Sequence, residues 1–211
     1  MISASVSLLV VGASTWLLVA GVRSSTLATS GSINDLAQWG IASRLWVDAR
    51  IANGSTIYRD YTTSNVELWL RRVVNDGGNF MVFTLSTPVN NQTRYSKLTG
   101  YYFTPTTSGP PATGTIYRFD YAVSSTDQAS FKRLEDILKD NRTAIMASAT
   151  VVATNVTTFM TTTVSSTTLG NVFLNRASGT AATLACSVAS GNATQKTYQQ
   201  KVIEATFFIR G

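Results

Sequence analysis

The residues that could do chemistry are few, and their types exclude more than they suggest. The 211-residue chain has one Cys, Cys186, and no His. It therefore cannot build a His-based zinc site, a Ser-His-Asp triad, a Cys-His pair, a CxxC redox centre or an internal disulfide. Acid-base chemistry would fall to the 11 carboxylates. A glycosidase needs two of them facing across a cleft, a separation that sequence does not give. Glu135, Asp136 and Asp140 fall on a predicted helix rather than in a DxDxDG loop, so they read as solvated charge and not as calcium ligands. The expectation is a protein that is not an enzyme, with no catalytic residue, no metal ligand and no cofactor.

Binding chemistry is equally sparse. Five Asn-x-Ser/Thr sequons start at Asn53, Asn91, Asn141, Asn155 and Asn192, little above what this composition gives by chance. Trp39 and Trp46, seven residues apart, read as packing between a helix and a sheet before they read as a binding stripe. Cys186, in an alternating apolar run, reads as a small buried hydrophobe. The 17 Lys and Arg against 11 Asp and Glu give a net charge of +6. These basic residues are scattered, with only pairs such as Arg71-Arg72 and Lys132-Arg133 adjacent. A nucleic-acid reader shows a basic stripe with interleaved aromatics, so no nucleic-acid partner is expected. Ser and Thr together number 54, a texture that suits strands and loops of an extracytoplasmic protein.

The elements that must position these residues begin with an apolar segment. Residues 1–22 contain no charge and no Pro, and about 20 such residues at 1.5 Å each match the roughly 30 Å hydrocarbon core of a bilayer. From 23 to 53 apolar residues recur at helical spacing, with Leu36, Trp39, Ala42, Trp46 and Ala49 on one side and Asp35, Arg44, Asp48 and Arg50 opposite. The two halves read as one nearly continuous helix, apolar all round at first and amphipathic afterwards. Such a helix would be about 75 Å long.

The run Met1-Ile2-Ser3-Ala4-Ser5-Val6-Ser7-Leu8-Leu9-Val10-Val11-Gly12-Ala13 resembles the hydrophobic part of a type IV prepilin N-terminus, read directly after that family's Gly-Phe-Thr-Leu-Val-Glu motif. The motif itself is not in the chain, so no cleavage, methylation or Glu-docking role passes to a numbered residue. The resemblance implies a helix stored in the membrane and then packed against sister helices in a filament. Ile2, Val6, Leu9, Val10, Gly12, Ala13, Leu17 and Gly21 are the expected packing positions, with small residues permitting close approach. Leu36, Trp39, Ala42, Trp46 and Ala49 are the expected contacts from helix to head.

After Asn53-Gly54 the texture becomes short alternating runs broken by turn residues, as in antiparallel strands. Residues 66–74 read as a strand, joined through Asn75-Asp76-Gly77-Gly78-Asn79 to a second at 80–85 as a hairpin. A second hairpin pairs 94–104 with 115–123 across a loop around Gly109-Pro110-Pro111, with Tyr117, Phe119, Tyr121 and Val123 on one face. Thr126 or Asp127 can cap a helix reaching Asp140, with Phe131, Leu134 and Leu138 on its apolar side. Further strands are expected in 151–164, 183–188 and 202–209, the last with Ile203, Ala205, Phe207 and Ile209 turned inward.

The expected fold class is α+β: a long N-terminal α-helix, membrane-inserted in its first half, packed on an antiparallel β-sheet head. Three segments follow from this: 1–22 in the membrane, 23–53 amphipathic, and 54–211 as a β-rich extracytoplasmic head. The order of elements is similar to minor pilins and J-type minor pseudopilins of type II secretion. It implies a structural subunit held by a single pass in the bacterial inner membrane, its head in the periplasm or at the cell surface. Its partners would be other pilin or pseudopilin subunits and the inner membrane, with a prepilin peptidase only if the true start lies upstream of Met1. The alternative is a membrane-anchored or secreted sheet-rich adhesin, a glycan-binding module.

Overall fold

The computed structural model describes residues 19, 22, 40–62, 69–107, 111–158, 160–164, 167–177, 180–190 and 199–209. A helix over 40–51 (α1) turns its Ile41, Leu45, Ala49 and Ala52 ridge inward, the i, i+4 spacing of one helix face. The chain then enters β1 (Gly54–Tyr58), β2 (Gly77–Gly78), β3 (Phe80–Val89), β4 (Gln92–Pro105) and β5 (Thr113–Ala122). Three short helices follow: α2 (Ser125–Ala129), α3 (Leu134–Asp140) and α4 (Arg142–Ser148). Six more strands complete the described chain: β6 (Thr150–Thr157), β7 (Met160–Val164), β8 (Thr167–Asn171), β9 (Phe173–Ala177), β10 (Ala181–Ser190) and β11 (Gln199–Phe208).

The main sheet runs in the order β1-β3-β4-β5-β6-β10-β9-β2, with β11 on the other edge of β10, and every pairing in it is antiparallel. One residue, Asn79, separates β2 from β3, so the far end of this path returns to its near end and the sheet becomes a nearly closed barrel. Asn79 is buried at this seam with both its backbone and its amide engaged. Its N–H donates to Arg59 O (2.9 Å) and its carbonyl accepts from Phe103 N–H (2.9 Å). Its Nδ2 donates to Gly170 O (2.8 Å), while its Oδ1 accepts from Val172 N–H (3.1 Å). A buried amide so satisfied fixes register as well as closure. The neighbouring Gly78 lies so close to the Tyr58 carbonyl that any Cβ there would collide with backbone.

Strand alternation divides the apolar residues between two clusters. Met81, Phe83, Tyr101 and Phe103 join the α1 ridge, with Leu184, Cys186 and Val188 of β10 in the same cluster. Phe80, Val82, Leu98, Tyr102 and Phe119 join Leu134, Ile137 and Leu138 of α3 and Ile145 of α4. The period-2 geometry of a strand makes such two-sided burial possible when helices cover both faces.

The expected α+β architecture, one long helix packed on a sheet head, is therefore corrected. Strands dominate, the helices are short, and among the described residues no helix is long and apolar enough to cross a membrane. That finding leaves the single-pass inner-membrane location unsupported. Helical periodicity in 36–49 is real only over 40–51 within the described chain, and its buried ridge is set by Ile41 and Leu45.

Smaller expectations divide the same way. The β4–β5 hairpin forms, and Phe119 and Val123 are buried with Tyr117 and Tyr121 packed against them. Phe207 and Ile209 are buried and Ala205 packs on the same core. Residues 69–74 make no ladder: Arg71 forms one isolated bridge to Tyr58, and β3 takes β1 and β4 as its partners. The expected helix from Thr126 to Asp140 breaks into α2 and α3, and it is Ser124 that caps α2 by accepting the Asp127 N–H.

Candidate ligand-binding cleft

Two irregular backbone segments border a concavity lined by charged, polar and aromatic side chains. The first is the tip of the β3–β4 hairpin. Asn90 and Asn91 have φ of 50° and 62° between the paired residues Val89 and Gln92, the left-handed geometry of a two-residue hairpin turn. The second is the α2–α3 junction. There the Phe131 N–H donates to Gln128 O (3.3 Å) and the Lys132 N–H to Asp127 O (3.2 Å), the paired hydrogen bonds of a Schellman helix end. The residue at its left-handed position is ordinarily Gly, yet this chain places Phe131 there with φ of 50°. For a bulky residue that conformation costs about 1 to 2 kcal/mol.

Between these segments lies a cleft of about 460 Å³. Gln92, Thr93 and Tyr95 of β4 supply one wall, and Phe131, Lys132 and Arg133 supply the other. Arg71 and Glu135 close it at one side, with the Arg71 Nε donating to Glu135 Oε1 at 2.6 Å and the Tyr58 hydroxyl to the same oxygen at 3.0 Å. The Arg94 guanidinium carbon lies 5.1 Å from the centroid of the Phe131 ring, within cation–π range. Buried Leu134 fixes the backbone beneath Arg133 and Glu135 to the second core cluster.

The charges in the cleft are unequally compensated. Burial alone would raise the Glu135 carboxyl, but the Arg71 hydrogen bond, its own backbone N–H and the Tyr58 hydroxyl outweigh burial and hold it below the usual range. Lys132 is held by Asp127 (2.9 Å) and Asp140 (2.6 Å). Arg94 Nε is buried without a hydrogen-bond partner among the described residues, and Arg133 is exposed with no ion pair among them. Tyr95 keeps its proton, because burial pushes the hydroxyl up. Among the described residues Glu135 is the one carboxylate lining the cleft, and no group of three metal-ligating side chains occurs among them.

The depressed Glu135 pKa predicts an acid sensitivity. A carboxylate stabilised by folding contributes stability above its unfolded pKa of about 4.3 and loses it as pH falls through the lower folded value. The urea midpoint of the native chain is expected to drop from about pH 5 downward. Glu135→Gln should flatten part of that drop, and an identical pH profile for the two proteins would contradict the assignment.

A second polar cluster ties α1 to the sheet. Asp48 accepts from Arg118 Nε (2.8 Å) and Nη2 (3.0 Å) and from the Tyr101 hydroxyl. Arg118 also reaches Asp120, whose carboxyl burial alone would raise but which Thr99, Arg118 and Lys97 together hold low. This arrangement fastens one element to another and leaves no free polar group for a reaction.

The positions expected from sequence to carry function lie elsewhere. Ile2, Val6, Leu9, Val10, Gly12, Ala13, Leu17, Gly21, Leu36 and Trp39 lie outside the described residues. Ala49 is buried in the first cluster and Ala42 is half-buried, while Trp46 is 55% exposed with Arg50 over its ring. Cys186 is buried, and burial pushes its thiol up to about 12, as for an inert core residue. Sequence reasoning passed over the cleft because it placed Phe131 on the apolar side of one unbroken helix. The usable signal was Asn90-Asn91, a left-handed dipeptide between alternating runs.

No family model, curated protein or solved structure matches the chain. The likeness to type IV pilins, minor pilins and J-type pseudopilins is corrected on two grounds: no such family is found, and the barrel-like sheet is not a pilin head carried on a long helix. The type II secretion description falls with it, and the transmembrane description finds no helix among the described residues that could span a membrane.

Proposed function

We propose that the chain is a non-catalytic carbohydrate-binding module, a sheet-rich head that seats a glycan between the β3–β4 turn and the α2–α3 junction. The observation that carries this reading is Phe131. A large ring held in a backbone conformation suited to Gly costs folding energy, and such strain concentrates where a side chain is needed for something other than stability. An aromatic ring bordering an open cleft offers an apolar face to the C–H side of a sugar. Gln92, Thr93 and the neutral Tyr95 hydroxyl offer the donors and acceptors that sugar hydroxyls require. Glu135 is already committed to Arg71 and Tyr58 and faces no second carboxylate across the cleft among the described residues, so hydrolysis is not part of the proposal.

Two substitutions at Phe131 separate binding from folding. Both Phe131→Ala and Phe131→Gly should weaken glycan binding roughly tenfold or more, as loss of an aromatic anchor does. Phe131→Gly should nevertheless be more stable than Phe131→Ala by about 1 to 2 kcal/mol, because only Gly relieves the left-handed backbone. Titration calorimetry on glycans found by array screening, with urea unfolding alongside, reads both quantities. Unchanged affinity in Phe131→Ala, or a chain that binds no glycan, overturns the proposal.

A further inference from the structure

We infer that the ligand of this cleft is acidic, a saccharide carrying a carboxylate, and that Arg133 receives that group. The inference rests on the carbohydrate reading above and adds the charge of the ligand. Among the described residues three cationic side chains line the cleft, Arg71, Lys132 and Arg133, against the single Glu135. Two of the three are spoken for, Arg71 by Glu135 and Lys132 by Asp127 and Asp140. Arg133 is the lining cation with no ion pair among the described residues, and Arg94, which does not line the cleft, lies 5.1 Å from the Phe131 ring centroid. Arg133 sits between Lys132, held by two carboxylates, and Leu134, buried in the core. Arg94 sits in the β3–β4 ladder opposite Thr87.

The chemistry of the Arg133 side chain selects the anion. A guanidinium is planar and presents parallel N–H donors that match the two oxygens of a carboxylate, and it stays charged at every accessible pH. Arg133 lines the same cleft as the Phe131 ring, so the surface that packs on a sugar ring also carries a cation toward that ring's substituents. A uronic acid sugar has both parts in one residue: an apolar ring face and a carboxylate on the ring's edge. A neutral sugar would leave the Arg133 guanidinium facing hydroxyls only.

The test uses the full chain with a short oligogalacturonate and its methyl ester, which differ in charge and little else. Titration calorimetry at low and raised salt is expected to show binding of the acid, weaker at higher salt, and at least about tenfold weaker binding of the ester. Arg133→Gln should remove about tenfold of the preference for the acid and reduce its salt dependence, and Arg133→Lys should restore only part, because an ammonium lacks the fork. Arg133 is exposed, so an unchanged melting temperature accompanies the loss. Equal affinity for acid and ester overturns the charge inference and leaves the carbohydrate reading standing. Equal affinity for polyaspartate also overturns it, since that is a response to charge alone. A chain that binds neither oligomer but binds neutral glycans refutes the inference only, whereas one that binds no saccharide refutes both.

Discussion

Tyr61→Ala is expected to lower the unfolding free energy by about 3 to 5 kcal/mol, the range for removing a large buried aromatic. Tyr61 is 0% exposed and is the hub of the second cluster. Its ring centroid lies 4.2 Å from Phe80, 5.1 Å from Trp69, 5.5 Å from Tyr102 and 6.0 Å from Phe119. Arg142 of α4 lies 6.0 Å over the ring and donates to the backbone carbonyls of Tyr61 and Thr62. Removing the ring thus opens a cavity where the sheet meets α3 and α4, and rigid strands cannot collapse into it. Tyr61→Phe is the control. The hydroxyl contacts Leu138 O at 3.5 Å, a marginal distance, so its loss should cost about 1 kcal/mol or less. Because α3 carries Leu134 and Glu135 into the cleft, Tyr61→Ala should also weaken glycan binding without touching the ligand. A urea midpoint within error of the native value would show that this cluster does not hold the helices.

Local features of this fold were legible and long-range ones were not. The face of Tyr117, Phe119, Tyr121 and Val123 follows from period-2 alternation, and its partner strand lies just across one loop, so pattern and proximity agreed. Phe207 and Ile209 were readable for the same reason. Closure of the sheet was not, because β10 meets β6 and β9 through pairings that no local pattern encodes. Asn79, which holds the seam, looked like one more turn residue. The split of the expected helix was hidden by chemistry: a helix end is announced by Gly at its left-handed position, and this chain has Phe131 there. That substitution is also what marks the cleft, whose residues come from three separated stretches, with Arg71 and Glu135 64 positions apart. In α1 the largest apolar residue is Trp46, but smaller Ile41 and Leu45 fill the space against the strands while Trp46 stays outside.

Asp48→Ala is the second large loss, about 3 kcal/mol, and it probes how α1 is held. Asp48 and Arg118 side chains are 10% and 22% exposed, so the pair is shielded on both sides. Removing one partner of such a pair leaves a charge and the Tyr101 hydroxyl without their acceptor, which typically costs 3 to 5 kcal/mol. Arg118 retains Asp120 at 2.5 Å, which places the expectation at the lower end of that range. The apolar ridge of α1 remains, so the helix should stay seated while the whole domain becomes less stable. Replacing both partners by apolar residues, Asp48→Leu with Arg118→Met, removes the unpaired charge and should cost clearly less than the sum of the two single changes. Strict additivity, measured by urea unfolding of all four proteins, would mean that Asp48 and Arg118 act independently and that packing alone fastens α1 to the barrel.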